Sequence, residues 1–167
     1  MAPEAELITG CLLHDRTAQR NLYDRYKKAM YTLAYRITGD FDDANDVLQD
    51  AFLEVFRHLS QFRGDSTLGA WIKQIVIRKS MKKRRVMLWQ NLDENVAEPI
   101  NWGDDEINAA HLETAILSLP DGFRTIFVLA EIEGYTHREI AVMLNISEGT
   151  SKSQLFHAKR KLRSILS

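Results

Sequence analysis

Helical spacing of apolar residues constrains this chain more than any other feature, and one stretch lacks it. The segment NLDENVAEPINWGDDE is acidic and contains Pro99 and Gly103, which disfavour helix. We therefore expect a flexible acidic linker over residues 86–106. On both sides of it the periodicity is helical and no alternating strand pattern competes, so the sequence predicts an all-α protein of two small domains, residues 5–85 and 107–167.

The first half of the chain predicts three amphipathic helices. One covers residues 21–37 and is followed by Gly39, where a helix C-cap is expected. The second begins with aspartates that suit the positive end of the helix dipole. Its wide apolar stripe comprises Ala44, Val47, Leu48, Ala51, Phe52, Val55, Phe56 and Leu59. The third begins at Ser66 or Thr67. Its apolar positions are Leu68, Trp71, Ile72, Ile75 and Val76.

The second half predicts a helix-turn-helix. Four helices are expected there, over residues 107–119, 123–132, 136–144 and 147–166. Thr136 and Glu139 form a capping box, and Ser147 is a good N-cap for the last helix. Helix, tight turn and helix with apolar residues facing inward is typical of the helix-turn-helix motif. The inward residues are Ile140, Ala141, Leu144, Ile146, Leu155, Ala158 and Leu162.

The final helix begins with small residues and then becomes basic. Poor helix formers occupy its first turns at Gly149, Thr150, Ser151 and Ser153. Small residues permit close approach to a DNA major groove, and the basic residues that follow can bind phosphate. A solvated helix end would explain Lys161 and Arg163, but not Gly149 together with a solvent-facing Phe156. The outward face comprises Lys152, Ser153, Phe156, His157, Lys159 and Arg160.

Charge is balanced over the whole chain, with 22 basic and 23 acidic residues, but it is segregated along the sequence. Acidic residues concentrate over 40–54 and 93–106, and basic residues over 73–85 and 152–163. Such segregation can present a basic surface to phosphate. The single cysteine, Cys11, cannot form an internal disulfide, and no stretch approaches the ~20 apolar residues that span a bilayer. We expect a cytoplasmic protein with no membrane insertion of its own.

No metal site, cofactor or catalytic site is predicted. The histidines outside the final helix, which are His14, His58, His111 and His137, have no ligand spacing, and Cys11 has no partner motif. The segment LITGC resembles a lipoprotein cleavage box, but acidic residues precede it and no basic region does. Because no nucleophile, base and orienting group can be assembled from local motifs, an enzyme is disfavoured.

Two long segments resemble one protein family. LPDGFRTIFVLAEIEGYTHREIAVMLNISEGTSKSQLFHAKRKLR resembles the promoter-binding C-terminal domain of the extracytoplasmic-function (ECF) sigma factors. LYDRYKKAMYTLAYRITGDFDDANDVLQDAFLEVFRHLSQFRGDSTLGAWIKQIVIRKS is similar to their N-terminal domain, region 2. The order, the lengths and the missing middle domain agree. The resemblance implies a non-enzymatic, dissociable subunit that directs bacterial RNA polymerase to particular promoters.

The same resemblance implies the partners of the protein. They are core RNA polymerase, contacted at its beta-prime coiled coil and beta flap, promoter DNA, and an anti-sigma factor that covers the DNA-binding surfaces. The residues alone leave a second hypothesis open, in which the protein is an autonomous helix-turn-helix regulator whose first domain serves dimerisation.

The acidic helix carries the implied polymerase contact. Asp43, Asp46 and Asp50 are three and four residues apart, so they share a face, beside Val47 and Leu53. Simple solvation would explain this face, whereas a magnesium site for nucleic-acid cleavage would need converging groups that the sequence lacks. In the family the matching segment, DDANDVLQDAF, docks on the beta-prime coiled coil. The implied contacts are Asp43, Asp46, Val47, Gln49 and Asp50.

The stretch QFRGDSTLGAW is a candidate pocket for an unstacked base. Opening a duplex requires a flipped base to be held, and a loop with small hydroxyl residues beside aromatic rings can hold one. Phe62 and Trp71 are more often core residues than stacking platforms, and the resemblance favours Trp71 as a support near the melted strand. Basic residues downstream would bind phosphate. The predicted minus-10 contacts are Arg63, Asp65, Ser66, Thr67, Trp71, Lys73, Arg78 and Lys79.

The resemblance assigns the final helix to the minus-35 element. Lys152, Ser153, Phe156 and His157 would lie nearest the base edges, and the following basic residues, Lys159 and Arg160, would hold phosphate. The chain departs from the family pattern at Ser151, where an aliphatic residue commonly packs the recognition helix onto its neighbour. We expect this seam to be looser here.

Overall fold

The computed structural model describes residues 3–84 and 109–167, and these residues form α-helices and no β-strand. The chain divides after Arg84 into two compact units. The all-α fold class predicted from the sequence is confirmed. The linker predicted for residues 86–106 and the predicted helix start at residue 107 lie outside the described residues. Within the described ranges, no helix is both long and apolar enough to cross a bilayer.

The described part of the first unit contains four helices around one core. They are α1 (Glu4–Leu12), α2 (Arg16–Thr38), α3 (Phe41–His58) and α4 (Leu68–Arg84), with a 3₁₀ turn at Leu59–Gln61. Helices α2, α3 and α4 pack against one another, and α1, which the sequence analysis did not predict, packs on α2. Aliphatic side chains fill the core, among them Leu22, Leu33, Ile37, Val47, Leu48, Ile72 and Val76.

Local capping explains the bounds of α2. The helix begins at Arg16, earlier than the predicted residue 21, because the Asp15 carboxylate accepts a hydrogen bond from the backbone N–H of Thr17 at 2.9 Å. Gly39 ends it as predicted. Its φ of 71° is left-handed, which glycine adopts without strain, and its N–H donates to the Tyr35 carbonyl at 2.7 Å.

Helices α3 and α4 also begin at side-chain caps. The Asp40 carboxylate accepts from the backbone N–H of Asp43 at 2.9 Å, and the Thr67 hydroxyl accepts from that of Ala70 at 3.2 Å. Helix α4 therefore begins at Leu68, at the predicted boundary. These two caps fix where the helices that carry the candidate interfaces of this unit begin.

The described part of the second unit contains four shorter helices. They are α5 (Ala109–Leu117), α6 (Asp121–Phe127), α7 (His137–Leu144) and α8 (Glu148–Leu166). Helix α6 continues into a π-helical turn at Val128–Ile132, so the helix predicted over 123–132 begins earlier and changes pitch. Pro120 precedes its first turn, where a missing backbone N–H costs nothing.

Helices α7 and α8 form the predicted helix-turn-helix. The Thr136 hydroxyl accepts from the backbone N–H of Glu139 at 3.1 Å, and the Ser147 hydroxyl accepts from that of Thr150 at 3.0 Å. Between the helices, Asn145 adopts a left-handed φ of 55°, which reverses the chain in a short turn. Buried aliphatic residues close the core beneath them, including Ile126, Leu129, Ile140, Ala158 and Leu162.

Candidate protein and nucleic-acid interfaces

The acidic face predicted on α3 is present, but Val47 does not belong to it. Asp46, Gln49 and Asp50 are exposed, and Asp43 is half-buried. Val47 is only 1% exposed, because it lies on the core stripe of α3. It therefore cannot supply the apolar contact predicted for it, and that assignment is corrected.

Leu53 provides the apolar side chain that this face needs. It is 62% exposed and lies seven residues after Asp46 and three after Asp50, so the three share one side of α3. Its position outside the apolar stripe is the sequence signal that identifies it. Below, the acidic surface denotes Asp43, Asp46, Gln49, Asp50 and Leu53.

Ion pairs join the acidic side of α3 to the basic end of α4. Asp43 Oδ2 lies 3.2 Å from Arg84 Nη1, and Asp46 Oδ2 lies 3.1 Å from Lys83 Nζ. The hydrogen bond and charge of Asp46 raise the pKa of Lys83, with Asp43 and Asp50 adding to the effect. The acidic surface is therefore partly neutralised by cations of the same unit, a pairing that the sequence analysis did not predict.

A third ion pair involves a residue predicted to bind DNA. Arg78 Nη2 lies 2.7 Å from Glu54 Oε2. Partial burial raises the pKa of Glu54, but the hydrogen bond and charge of Arg78, helped by Lys79 and His58, outweigh burial and hold this pKa below its ordinary value. Arg78 is thus paired with a residue of α3 in this structure, although its side chain stays mostly exposed.

The loop before α4 exposes the polar groups predicted to touch a flipped base. Arg63, Asp65, Ser66 and Thr67 are all exposed, and Gly64, with a φ of 78°, has open space where a side chain would stand. Thr67 has a structural role as well, because its hydroxyl caps α4. The loop therefore presents donors and acceptors from a turn fixed at its downstream end.

Phe62 and Trp71 flank this loop as a pair. Their ring centroids are 5.5 Å apart with planes inclined by 47°, and both side chains are half-buried. The alternatives of core packing and support of a melted strand are compatible here, because each ring packs on the other and keeps part of its surface in solvent.

The basic residues of α4 do not share one face. Arg78 is seven residues after Trp71 and lies on the same side of the helix, whereas Lys73, two residues after Trp71, lies about 200° around it. Lys73 and Lys79 are half-buried. Lys82, one of the downstream basic residues expected to bind phosphate, is exposed and follows Arg78 at the i+4 position, so it lies on the Trp71 side of the helix.

Helix α8 presents most of its predicted reading face outward. Lys152 and Arg160 are exposed, and Ser153 and Phe156 are half-buried. The opposite face packs inward through Ser151, Gln154, Leu155, Ala158 and Leu162. The small residues at its start leave the first turns free of bulky side chains, as a helix entering a groove requires.

Three of the residues predicted to face DNA make contacts inside the unit. The His157 ring packs beside Phe123 of α6 with centroids 6.2 Å apart, and the Phe156 ring meets it edge-on at 5.3 Å. Lys159 Nζ lies 2.6 Å from Glu131 Oε1 in the π-helical turn. Phosphate would have to compete with this carboxylate for Lys159.

The seam at Ser151 is closed by a polar contact. Ser151 is 0% exposed, and its Oγ lies 2.7 Å from Nδ1 of His137, the first residue of α7. The expected looseness is therefore offset by a hydrogen bond. Burial lowers the pKa of His137, the charges of Lys152 and Lys159 lower it further, and Glu131 and Glu148 oppose them.

Arg124 is a buried charge that the sequence analysis did not single out. Its Nη1 donates to the Leu119 carbonyl at 2.9 Å, and its Nη2 pairs with Asp121. These bonds tie the start of α6 to the end of α5. Among the described residues, no group of three His, Cys, Asp or Glu side chains is placed to hold a metal ion.

Comparisons with known proteins match both units. The chain matches the family model "Sigma-70 region 2" over residues 22–86 and "Sigma-70, region 4" over residues 110–162. It is 30% identical to the RNA polymerase sigma-H factor of Pseudomonas aeruginosa, covering 95% of this chain and 91% of that protein. It is 28% identical to the ECF RNA polymerase sigma factor SigM of Mycobacterium tuberculosis, over 98% and 84% of the two chains.

Two solved structures share the fold. A structure of CnrH in complex with the cytosolic domain of CnrY has a TM-score of 0.58 at 24% identity, covering 96% of this chain and 94% of that one. A structure of the sigma factor RpoE in complex with the anti-sigma factor NepR, from Bartonella quintana, has a TM-score of 0.58 at 20% identity, covering 88% and 97%.

Proposed function

Because the chain belongs to the ECF sigma factors of the sigma-70 family, which direct RNA polymerase to promoters, we propose that its two units divide promoter recognition between them. The region 2 domain, residues 5–85, binds core polymerase and holds the melted minus-10 strand. The region 4 domain, residues 107–167, reads the minus-35 element, and residues 86–106 connect the two. The family consists of transcription initiation factors, and the protein itself catalyses no reaction.

The observation that carries this proposal is the outward row on α8. A capped helix-turn-helix supports it, and the row runs from Lys152 through Phe156 to Arg160 with small residues at its start. Lys152 and Ser153 reach base edges first, and the Phe156 ring meets a thymine methyl. Arg160 holds phosphate, while Lys159 does so in competition with Glu131. The His157 ring reaches the DNA edge from its place beside Phe123.

The acidic surface is the proposed dock for the beta-prime coiled coil. Its carboxylates suit a basic partner, and the exposed Leu53 adds apolar area at one end of the surface. Lys83 and Arg84 hold two of these carboxylates in the free protein, so polymerase binding exchanges one set of cations for another. The region 4 domain is the proposed partner of the beta flap.

The loop before α4 is the proposed minus-10 pocket. Arg63, Asp65 and Ser66 offer exposed polar groups to an unstacked base, and the Phe62 and Trp71 pair supports the loop from one side. Thr67 contributes chiefly by capping α4. The basic residues of α4 add phosphate contacts that hold the strand without reading its sequence.

Regulation by an anti-sigma factor is part of this proposal. The matched RpoE structure contains the anti-sigma factor NepR, and the likeness in fold makes a comparable partner the simplest mode of control here. Such a partner would cover the acidic surface or the outward row of α8. A protein that works with core polymerase and is controlled in this way acts in the cytoplasm.

The test is promoter selection with and without core polymerase. Holoenzyme reconstituted from the full chain should select upstream and minus-10 elements from a randomised promoter library, and start sites should map downstream of them. The chain without core polymerase should select neither. Equal selection by the chain alone would contradict the proposal and support an autonomous regulator, which the region 2 match disfavours.

A further inference from the structure

We propose that His137 and Ser151 are a positioning pair that fixes how α8 sits in the major groove and thereby sets minus-35 selectivity. The inference rests on the proposed function and adds two residues that touch no base in it. Ser151 Oγ and His137 Nδ1 are 2.7 Å apart, and they join the first residue of α7 to the first turns of α8.

The hydrogen bond between His137 and Ser151 lies next to the residues proposed to read bases, so it can influence their position. Ser151 directly precedes Lys152 and Ser153, the first two residues proposed to reach base edges. The other buried residues of α8, which are Gln154, Leu155, Ala158 and Leu162, lie further along the helix. A change at Ser151 therefore moves the end of α8 that enters the groove, while the other end stays anchored.

The polar character of the contact makes it directional. A hydrogen bond has a preferred distance and angle, whereas apolar packing tolerates rotation and sliding. Ser151 is fully buried, so its hydroxyl has to be paired within the protein, and His137 is the partner. Either the hydroxyl donates to Nδ1 or Nδ1–H donates to Oγ. Both arrangements hold α7 and α8 at one distance.

The surroundings of His137 favour the neutral form of its ring. Partial burial, Lys152 and Lys159 all disfavour a charged imidazolium, and Glu131 and Glu148 oppose them less strongly. The neutral ring adds no further positive charge to this end of α8. The pair therefore acts through geometry, and it contributes no phosphate contact of its own.

The experiment measures selectivity rather than amount of transcription. Holoenzyme carrying the full chain, with Ser151→Ala or His137→Ala, is assayed on a promoter library whose upstream element is randomised. The ratio of preferred to substituted minus-35 sequences should fall roughly 3- to 10-fold for each variant, the range expected for one lost hydrogen bond. A variant that is merely less stable lowers transcription from every promoter and leaves this ratio unchanged.

Coupling and rescue give a sharper test. The double variant should lose no more selectivity than either single variant, because both remove the same bond. His137→Asn places an amide near the position of Nδ1 and should retain most of the selectivity. Ser164→Ala and His111→Ala, at exposed positions on α8 and α5, are matched controls and should match the unaltered protein.

Each outcome decides between the two proposals. If the unaltered holoenzyme selects an upstream element but both alanine variants keep the same ratio, the positioning role is wrong and the proposed function stands. Independent, additive losses in the double variant would also overturn it. If the unaltered holoenzyme selects no upstream element, both proposals fail.

Discussion

At the scale of single residues, the side of α8 proposed to face DNA is less cationic than its sequence indicates. Lys159 Nζ forms an ion pair with Glu131 Oε1 at 2.6 Å. Exposed ion pairs of this kind contribute little to stability, so the pair matters mainly for how much positive charge reaches phosphate. Arg160, which is exposed on the same helix, remains the stronger candidate for a phosphate contact.

Releasing Lys159 should strengthen binding to DNA. Glu131→Gln removes the competing charge, so holoenzyme carrying it should bind a selected promoter more tightly at low salt. The dependence of log affinity on log salt should steepen by about one unit, because one more phosphate contact releases one more counterion. Glu6→Gln, at an exposed position on α1, is the control. Unchanged affinity and slope would mean that Lys159 does not face DNA.

His137 should give the second unit a pH-dependent stability. Its pKa is lowered in the folded state below the ordinary value of 6.5, so the unfolded chain binds more protons in this range. The stabilisation is present above pH 6.5 and is lost as pH falls through the lowered pKa.

Urea unfolding of the full chain between pH 5 and 8 measures this effect. The advantage of the unaltered protein over His137→Asn should shrink as pH falls below 6.5. His111→Asn is the matched control and should follow the unaltered protein. An advantage that stays constant with pH would contradict the lowered pKa.

At the scale of elements, substitutions on the buried and exposed sides of α3 should affect different properties, which are stability and binding to core polymerase. Val47 and Leu53 are both aliphatic, but Val47 is 1% exposed and Leu53 is 62% exposed. Val47→Ala should lower the free energy of unfolding by roughly 2 kcal/mol, because it removes buried methyl groups. Leu53→Ala should leave stability nearly unchanged and weaken binding to core polymerase. Chemical denaturation and co-purification with core polymerase measure the two effects, and normal co-purification of Leu53→Ala would remove it from the acidic surface.

The loop before α4 should separate strand opening from assembly. Asp65→Ala with Ser66→Ala should leave holoenzyme assembly intact and lower open-complex formation roughly tenfold, because a flipped base then loses part of its pocket. Thr67 is left unchanged because it caps α4. Permanganate footprinting on a selected promoter gives the readout, with Ser60→Ala as the control. Normal thymine reactivity in the double variant would argue against the pocket.

At the scale of the whole molecule, substitutions in the two units should change transcription in different ways. Asp46→Lys with Asp50→Lys reverses the charge that core polymerase meets, so transcription from all promoters should fall together. Lys152→Ala should instead change the ranking of promoters, with a cost of roughly 1–3 kcal/mol at the preferred site.

In vitro transcription over single-base promoter variants distinguishes the two patterns. Glu6→Lys is a control for charge reversal outside the acidic surface. A uniform loss for Lys152→Ala, like that of the double reversal, would contradict the division of labour between the units.

Local chemistry explains what could be predicted. The features that could be predicted depend on residues within a few positions of one another. They are the helical spacing of apolar residues, the Gly39 C-cap, the Thr136 capping box and the Ser147 N-cap. The all-α class and the helix-turn-helix followed from these short-range patterns. Helix α1 (Glu4–Leu12) was missed because it has no side-chain N-cap and contains Thr9 and Gly10, which are poor helix formers.

The sequence by itself determined the all-α class, most of the helical segments, several of their caps and which of them carry acid or base. Only the tertiary structure decided which charged and polar groups meet. Asp46 pairs with Lys83, which is 37 positions away in the sequence, and Asp43 pairs with Arg84, which is 41 positions away. His137 contacts Ser151, which is 14 positions away. Backbone hydrogen bonds and caps act over three or four residues, whereas these pairings depend on how helices pack, which no local pattern encodes.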